Sequence, residues 1–287
     1  MLNLIRMNLY RMARTKSIWV VMLCMAMFCV FSCSMEKIDL EEMQKEGDTS
    51  TGLAGVYKGE EDVEVEGDFG ITVKVPEKEN GEIPTFLEFY NSDAASGIIL
   101  VFLAIGCVIY FSGEIKSGFL KNIAGQTKYK TNIFLSKVVA NIVYVLVSLA
   151  IYGVVQFFSL WFLLKDQYTY RFGAEYLKET GILLSVICVL YLAFLGGMSL
   201  LTTVLKSTAV GITVGMLAVF GVLGTFVSYL EKMIDVELQK YFVMTNVHQM
   251  LLGVSGKDVL LAFLVGALFS LVYYVLGAVY FTKKDVV

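Results

Sequence analysis

Residues 138–164 read VVANIVYVLVSLAIYGVVQFFSLWFLL, and this stretch contains no Asp, Glu, Lys or Arg. Because a helix rises about 1.5 Å per residue, about 20 apolar residues cross the hydrocarbon core of a bilayer. A buried helix in a soluble domain does not need an uncharged run of this length. The stretch therefore predicts a transmembrane helix.

Uncharged blocks of similar length recur along the chain, at residues 17–35, 94–113, 180–205, 207–230 and 259–282. Backbone groups inside hydrocarbon must be hydrogen-bonded within their own segment, so each block is predicted to be helical. The composition agrees, since 57% of the residues are hydrophobic and only 17% are charged. We therefore predict an all-α polytopic membrane protein with six transmembrane helices. The first block could also be a cleaved signal ending near Cys33, but its length favours a retained span.

The distribution of charge between alternate connections predicts the orientation. If the amino terminus is inside, the cytoplasmic segments hold 12 of the 23 basic residues and two of the 26 acidic ones. Basic residues close to the ends of spans favour the cytoplasmic side. The sequence thus predicts a multi-pass protein of the cell membrane with both termini in the cytoplasm.

The first 16 residues have the pattern of an amphipathic helix. Apolar residues recur at helical spacing at Leu2, Ile5, Leu9 and Met12, which places them on one face. We predict that residues 1–16 lie in the inner interface of the membrane. The residues expected at membrane interfaces are Arg6, Arg11, Arg14, Trp19 and Trp161.

Two outer connections are long. Residues 36–93 are strongly acidic, and the alternation of Val63, Val65, Phe69, Ile71, Val73 and Val75 predicts some strand. We expect a small extracytoplasmic lobe there, either as a solvated loop or as an anionic surface that attracts cationic peptides or metal ions. Residues 231–258 form the second long outer loop.

The sequence offers no grouping typical of an enzyme. His248 is the single histidine, and no Cys/His cluster has metal-ligand spacing. No phosphate-binding loop is present, and no cofactor, metal or nucleic-acid site is expected. The spans also lack Asp, Glu, Lys and Arg, which argues against a proton-coupled carrier or a voltage-gated channel.

Residues 114–137 form the principal cytoplasmic connection. Ile115, Phe119 and Ile123 are spaced four residues apart, which gives a short basic helix an apolar stripe, and Gly125 would end that helix. Such a helix either docks on a partner or lies flat on the inner leaflet without one.

This connection resembles that of the ABC-2 family of type-2 ABC transporter permeases. The likeness is carried by Phe111-Ser112-Gly113-Glu114, by Gly118-Phe119-Leu120-Lys121-Asn122-Ile123, by Lys137 and by the ending Tyr280-Phe281-Thr282-Lys283-Lys284-Asp285. The resemblance implies a pair of permease subunits, as homodimer or heterodimer, docked on separate cytoplasmic ATPases that bind the ATP. It also implies that a coupling helix contacts the ATPase through Glu114, Ile115, Gly118, Phe119, Leu120 and Ile123.

The expected function is therefore that of a permease subunit in an ATP-driven exporter, not an enzyme in itself. The substrates expected are hydrophobic or amphipathic compounds such as antimicrobial peptides or drugs. Sodium or lipid export by the same architecture is an alternative. A non-transporting sensor or scaffold that uses the acidic outer loop is another.

Overall fold

The computed structural model describes residues 1–46, 85–116, 130–165, 173–234 and 236–283. Within these ranges the chain forms helices and no strand. The helices are α1 (Leu2–Arg14), α2 (Lys16–Glu46), α3 (Phe86–Ala95), α4 (Ile98–Lys116), α5 (Lys130–Leu163), α6 (Ala174–Leu205), α7 (Thr208–Val219), α8 (Val222–Ile234), α9 (Val243–His248) and α10 (Gly256–Lys283), with a 3-10 turn at Gln239–Tyr241.

Four helices are long and apolar enough to cross a membrane alone. They contain the segments Lys16–Met35, Thr131–Leu163, Tyr176–Leu205 and Gly256–Tyr280, whose mean hydropathy is 2.3 to 2.5. Two further candidates are bent pairs, α3 with α4 at 50° and α7 with α8 at 63°. By length and composition the described residues contain four candidate spans, or up to six when each bent pair counts as one, which is the pattern of a polytopic helical membrane protein.

The strand-containing lobe predicted for residues 36–93 is not supported. Both of its ends are helical, because α2 continues to Glu46 and α3 begins at Phe86. The remaining residues, 47–84, include the predicted strand positions and lie outside the described part of the chain.

Helix α3 starts at a locally defined point. The Thr85 side-chain oxygen accepts a hydrogen bond from the Glu88 backbone N–H at 3.3 Å. The Glu88 carboxylate in turn accepts one from the Thr85 backbone N–H at 2.7 Å. This reciprocal pair satisfies two backbone donors that the first turn of a helix leaves open. All ten residues of α3 are buried, so the helix packs inside the protein.

The second candidate span is broken between α3 and α4. Gly97 has φ +81°, a conformation that side chains other than hydrogen strongly disfavour. A Cβ there would also lie 3.2 Å from Met244 Cε and 3.4 Å from His248 Nε2 on α9. The bend therefore depends on glycine, and α9 packs directly beside it.

Helix α1 packs on α5 with a face that includes Met12 of the predicted apolar stripe. The buried residues of α1 are Asn8 and Met12, whereas Leu2 is 78% exposed. Of the predicted apolar stripe, Met12 is buried and Leu9 packs partly buried against the core. Asn8 takes a buried position because it hydrogen-bonds to Ser136 on α5.

Two glycines in α7 and α8 differ in how closely other helices pack against them. A Cβ on Gly211 would lie 2.9 Å from both Thr202 Oγ1 and Val108 Cγ1, so α7 approaches α6 and α4 closely there. A Cβ on Gly224 in α8 would meet nothing within 4 Å.

We expect Gly211→Ala to destabilise the folded protein by about 1–3 kcal/mol, because overpacking displaces its neighbours. Gly224→Ala should be neutral or should stabilise α8 by up to about 1 kcal/mol, because alanine is the better helix former. Thermal unfolding of the two purified variants in detergent measures this difference. Equal effects of the two substitutions would contradict the close packing at Gly211.

Candidate functional site

Three charged side chains meet at the end of α4. Arg11 Nη1 lies 3.1 Å from Glu114 Oε1, and Lys137 Nζ contacts Glu114 Oε2. The Glu114 side chain is fully buried and that of Lys137 is 4% exposed, while Arg11 is 26% exposed. We call Arg11, Glu114 and Lys137 the ion cluster. It joins α1, α4 and α5.

Two members of the ion cluster stand at boundaries between polar and apolar sequence. Glu114 directly follows the uncharged block 94–113, and Lys137 directly precedes the block 138–164. Helix geometry then brings these ends together on the same side of the protein. Lys137 Nζ also lies 5.0 Å from the centre of the Phe111 ring, a favourable cation–π distance.

Neutral hydrogen bonds surround the ion cluster and tie α1 to the same two helices. Asn8 Nδ2 donates to Ser136 Oγ at 2.6 Å, and the Tyr110 hydroxyl donates to the Asn8 carbonyl at 3.3 Å. Asn8, Ser136 and Tyr110 are all buried. In low-dielectric surroundings such bonds are stronger than in water. The amino-terminal helix is therefore fixed to α4 and α5 by both charge and hydrogen bonds.

Arg11 was predicted only as a residue of the membrane interface, and the structure brings it into the ion cluster. Of the other predicted interface residues, Arg14 Nη1 donates to the Tyr10 hydroxyl at 3.0 Å, and Arg6 is exposed. Trp19 is 54% exposed and Trp161 is 42% exposed, with Lys165 Nζ 5.5 Å from the Trp161 ring. These four side chains lie apart from the buried core.

The predicted coupling residues are divided by the described boundary. Glu114 is buried in the ion cluster, and Ile115 is the next residue of α4. Gly118, Phe119, Leu120 and Ile123 lie outside the described residues. The connection 117–129 follows Lys116, the last residue of α4, and precedes Lys130, the first residue of α5. The connection therefore joins α4 and α5, the two helices that the Glu114–Lys137 ion pair holds together.

A second buried polar cluster lies on α3, and the sequence analysis did not find it. The Tyr152 hydroxyl and Gln156 Nε2 donate to Asp93 Oδ2 at 2.8 Å and 2.6 Å. All three side chains are fully buried. Tyr152 and Gln156 are four residues apart on α5, so they share the helix face that meets α3.

Other bonds hold α3 in place around Asp93. The Tyr90 hydroxyl donates to the Leu149 carbonyl at 2.9 Å, and the Tyr191 hydroxyl donates to the Ala94 carbonyl at 2.6 Å. Asn91 Nδ2 donates to the Met250 carbonyl at 2.8 Å. Helix α3 is thus linked by hydrogen bonds to α5, to α6 and to the segment that follows α9.

The expectation that the apolar interior lacks acidic side chains is wrong at Asp93. This residue immediately precedes the uncharged block 94–113, and α3 and α4 together qualify as one bent apolar span. The signal available in the sequence was Gln156, an amide in the middle of the apolar block 138–164. A polar side chain at such a position requires a buried partner.

Among the described residues, no group of three or more His, Cys, Asp or Glu side chains could hold a metal ion. His248 lies at the end of α9 beside Gly97, and not in a cluster of titratable ligands. The two polar clusters attach helices to one another through buried hydrogen bonds and ion pairs. Comparison with protein-family models and with curated proteins finds no match to this chain.

Proposed function

We propose that this chain is the membrane-spanning subunit of an ATP-driven exporter, with ATP hydrolysis on a separate cytoplasmic ATPase. The observation that carries the proposal is the ion cluster, which joins α1, α4 and α5 where the connection 117–129 leaves the helices. A force applied to that connection by a docked ATPase reaches three helices together. The ABC-2 resemblance of residues 111–137 supports the same assignment.

The proposed mechanism requires the connection to face the cytoplasm. The segments that would then lie inside contain Lys121, Lys128 and most of the basic residues adjoining the spans. Positive charge of this kind favours the cytoplasmic side. We therefore place both termini in the cytoplasm and the protein in the cell membrane, paired with a second permease subunit.

For the substrate we propose hydrophobic or amphipathic compounds, with cationic antimicrobial peptides as the first class to test. Residues 36–92 carry 16 acidic residues against five lysines, which would concentrate cationic molecules on the outer side. A comparison of survival in cationic peptides, with and without the permease pair, tests this class. Unchanged survival would favour sodium or lipid export.

The orientation can be tested with single cysteines in a background without the five native cysteines. The substitutions are Lys121→Cys, Lys128→Cys and Lys58→Cys. We expect a membrane-impermeant maleimide to label position 58 in intact cells and positions 121 and 128 only after permeabilisation. The native complex should also co-purify with an ATPase that has a phosphate-binding loop.

Labelling of positions 121 and 128 from outside would overturn the exporter proposal, because a cytoplasmic ATPase could not reach the connection. Co-purification with a kinase or a secretion component, and with no ATPase, would instead favour the sensor or scaffold.

A further inference from the structure

We propose that Asp93 and Gln156 form a proton-binding site in the core of the helix bundle. The two side chains are fully buried, and Gln156 Nε2 donates to Asp93 Oδ2 at 2.6 Å. The site stands on contacts within the described chain and does not depend on the assignment of an ATPase partner.

The carbonyl oxygen of the Gln156 side chain indicates what the site binds. Gln156 Oε1 is buried and accepts no hydrogen bond within the described part of the chain. A buried acceptor left without a donor costs about 1–3 kcal/mol, so such atoms are rare in folded proteins. A donor that appears next to this oxygen would remove that cost.

A neutral carboxylic acid on Asp93 would supply such a donor, because Gln156 Nε2 already contacts the Asp93 carboxyl at 2.6 Å. When Asp93 takes a proton from water, an O–H bond forms on Oδ1 and the side chain changes from charge −1 to neutral. That O–H can donate to Gln156 Oε1, while Nε2 continues to donate to Oδ2. The acid and the amide then form a cyclic pair with two hydrogen bonds, and Tyr152 keeps its bond to Oδ2.

The position of Asp93 supports the neutral form. Asp93 lies in the last turn of α3, where the partial negative charge of the helix end disfavours a carboxylate. Its side chain is fully buried, and burial penalises a charged carboxylate relative to the neutral acid. Among the described residues, the titratable side chains around the Asp93–Tyr152 pair lie on three helices. They are Cys29 and Cys33 on α2, Glu88 and Tyr90 on α3, and Cys188 and Tyr191 on α6. His248 of α9 is hydrogen-bonded to the Ser96 backbone.

Infrared spectroscopy of the purified full-length protein reads out the proton directly. A protonated carboxyl has a C=O stretching band that is separate from the carboxylate and amide bands. When the aspartate side-chain carboxyls are labelled with carbon-13, we expect the frequency of this band to shift relative to unlabelled protein. We also expect the band to disappear as the pH is raised. Asp93→Asn should remove it, and the matched control Glu88→Gln should retain it.

Gln156→Leu provides a second readout if Asp93→Asn does not fold. The acid would lose its amide partner, so the labelled band should move to higher frequency. The proposal is overturned if no labelled acid band appears at any pH at which circular dichroism shows the native helix content, or if the band is unchanged in both variants. It is also overturned if added NaCl shifts the labelled carboxylate bands and no acid band forms, because the ligand would then be an alkali-metal ion.

Discussion

Glu114→Gln is expected to reduce the free energy of unfolding by about 3–5 kcal/mol, the usual effect of removing one partner from a buried ion pair. The loss follows from the position of Lys137, whose side chain is 4% exposed and would lose the counter-charge that Glu114 provides. Arg11 is partly exposed and can recover some hydration, so Lys137 accounts for most of the effect. Thermal or chemical unfolding of the purified protein in detergent measures the change.

Two comparisons separate this effect from a general loss of charge. Glu237→Gln breaks the exposed pair with Lys240 and should leave the stability close to that of the wild type. Adding Lys137→Met to Glu114→Gln removes the uncompensated buried charge, so the double variant should be more stable than Glu114→Gln alone. A Glu114→Gln variant as stable as the wild type would show that the ion cluster does not hold α1, α4 and α5 together.

Phe119→Asp is expected to abolish both transport and co-purification of the ATPase, while insertion into the membrane is retained. Phe119 is the central residue of the predicted apolar stripe Ile115, Phe119 and Ile123. Burial of a phenylalanine side chain contributes about 1.5–3 kcal/mol, and a central aromatic residue at an interface frequently contributes more. An aspartate at that position would have to be desolvated on docking.

The matched control is Phe119→Leu, which keeps an apolar side chain of similar reach and should retain most of the complex. The measurement is the yield of ATPase recovered with each tagged permease variant, normalised to the permease in the membrane fraction. A complex that survives Phe119→Asp would remove the basis for the coupling helix.

The approximate positions of the candidate spans could be predicted because they depend on a property that adds along the chain. An uncharged block such as 138–164 needs only enough apolar residues to cross the hydrocarbon core of the bilayer. The breaks in the helices could not be predicted in the same way. Glycines are frequent in the apolar blocks, and only packing determines that Gly97 and Gly221 adopt positive φ and bend their spans.

The candidate sites were predicted less completely, because they depend on residues that are distant in the sequence. Glu114 was singled out by position, but its partner Arg11 lies 103 residues away. Asp93 and Gln156 are separated by 63 residues, and each is an isolated polar residue when seen alone. Local periodicity contains no information about such pairs. It also gave no sign that Asn8 would be buried where α1 contacts α5.

The hydrogen-bonded start of α3 has a consequence for how this protein can vary between strains. Thr85 and Glu88 define the first turn through each other, so α3 does not need a preceding segment of fixed length to begin in register. Doubling the length of chain between Glu46 and Thr85 would cost only about 0.6 kcal/mol in closure entropy. Insertions, deletions and whole exchanges within residues 47–84 can therefore accumulate under selection without disturbing the start of α3.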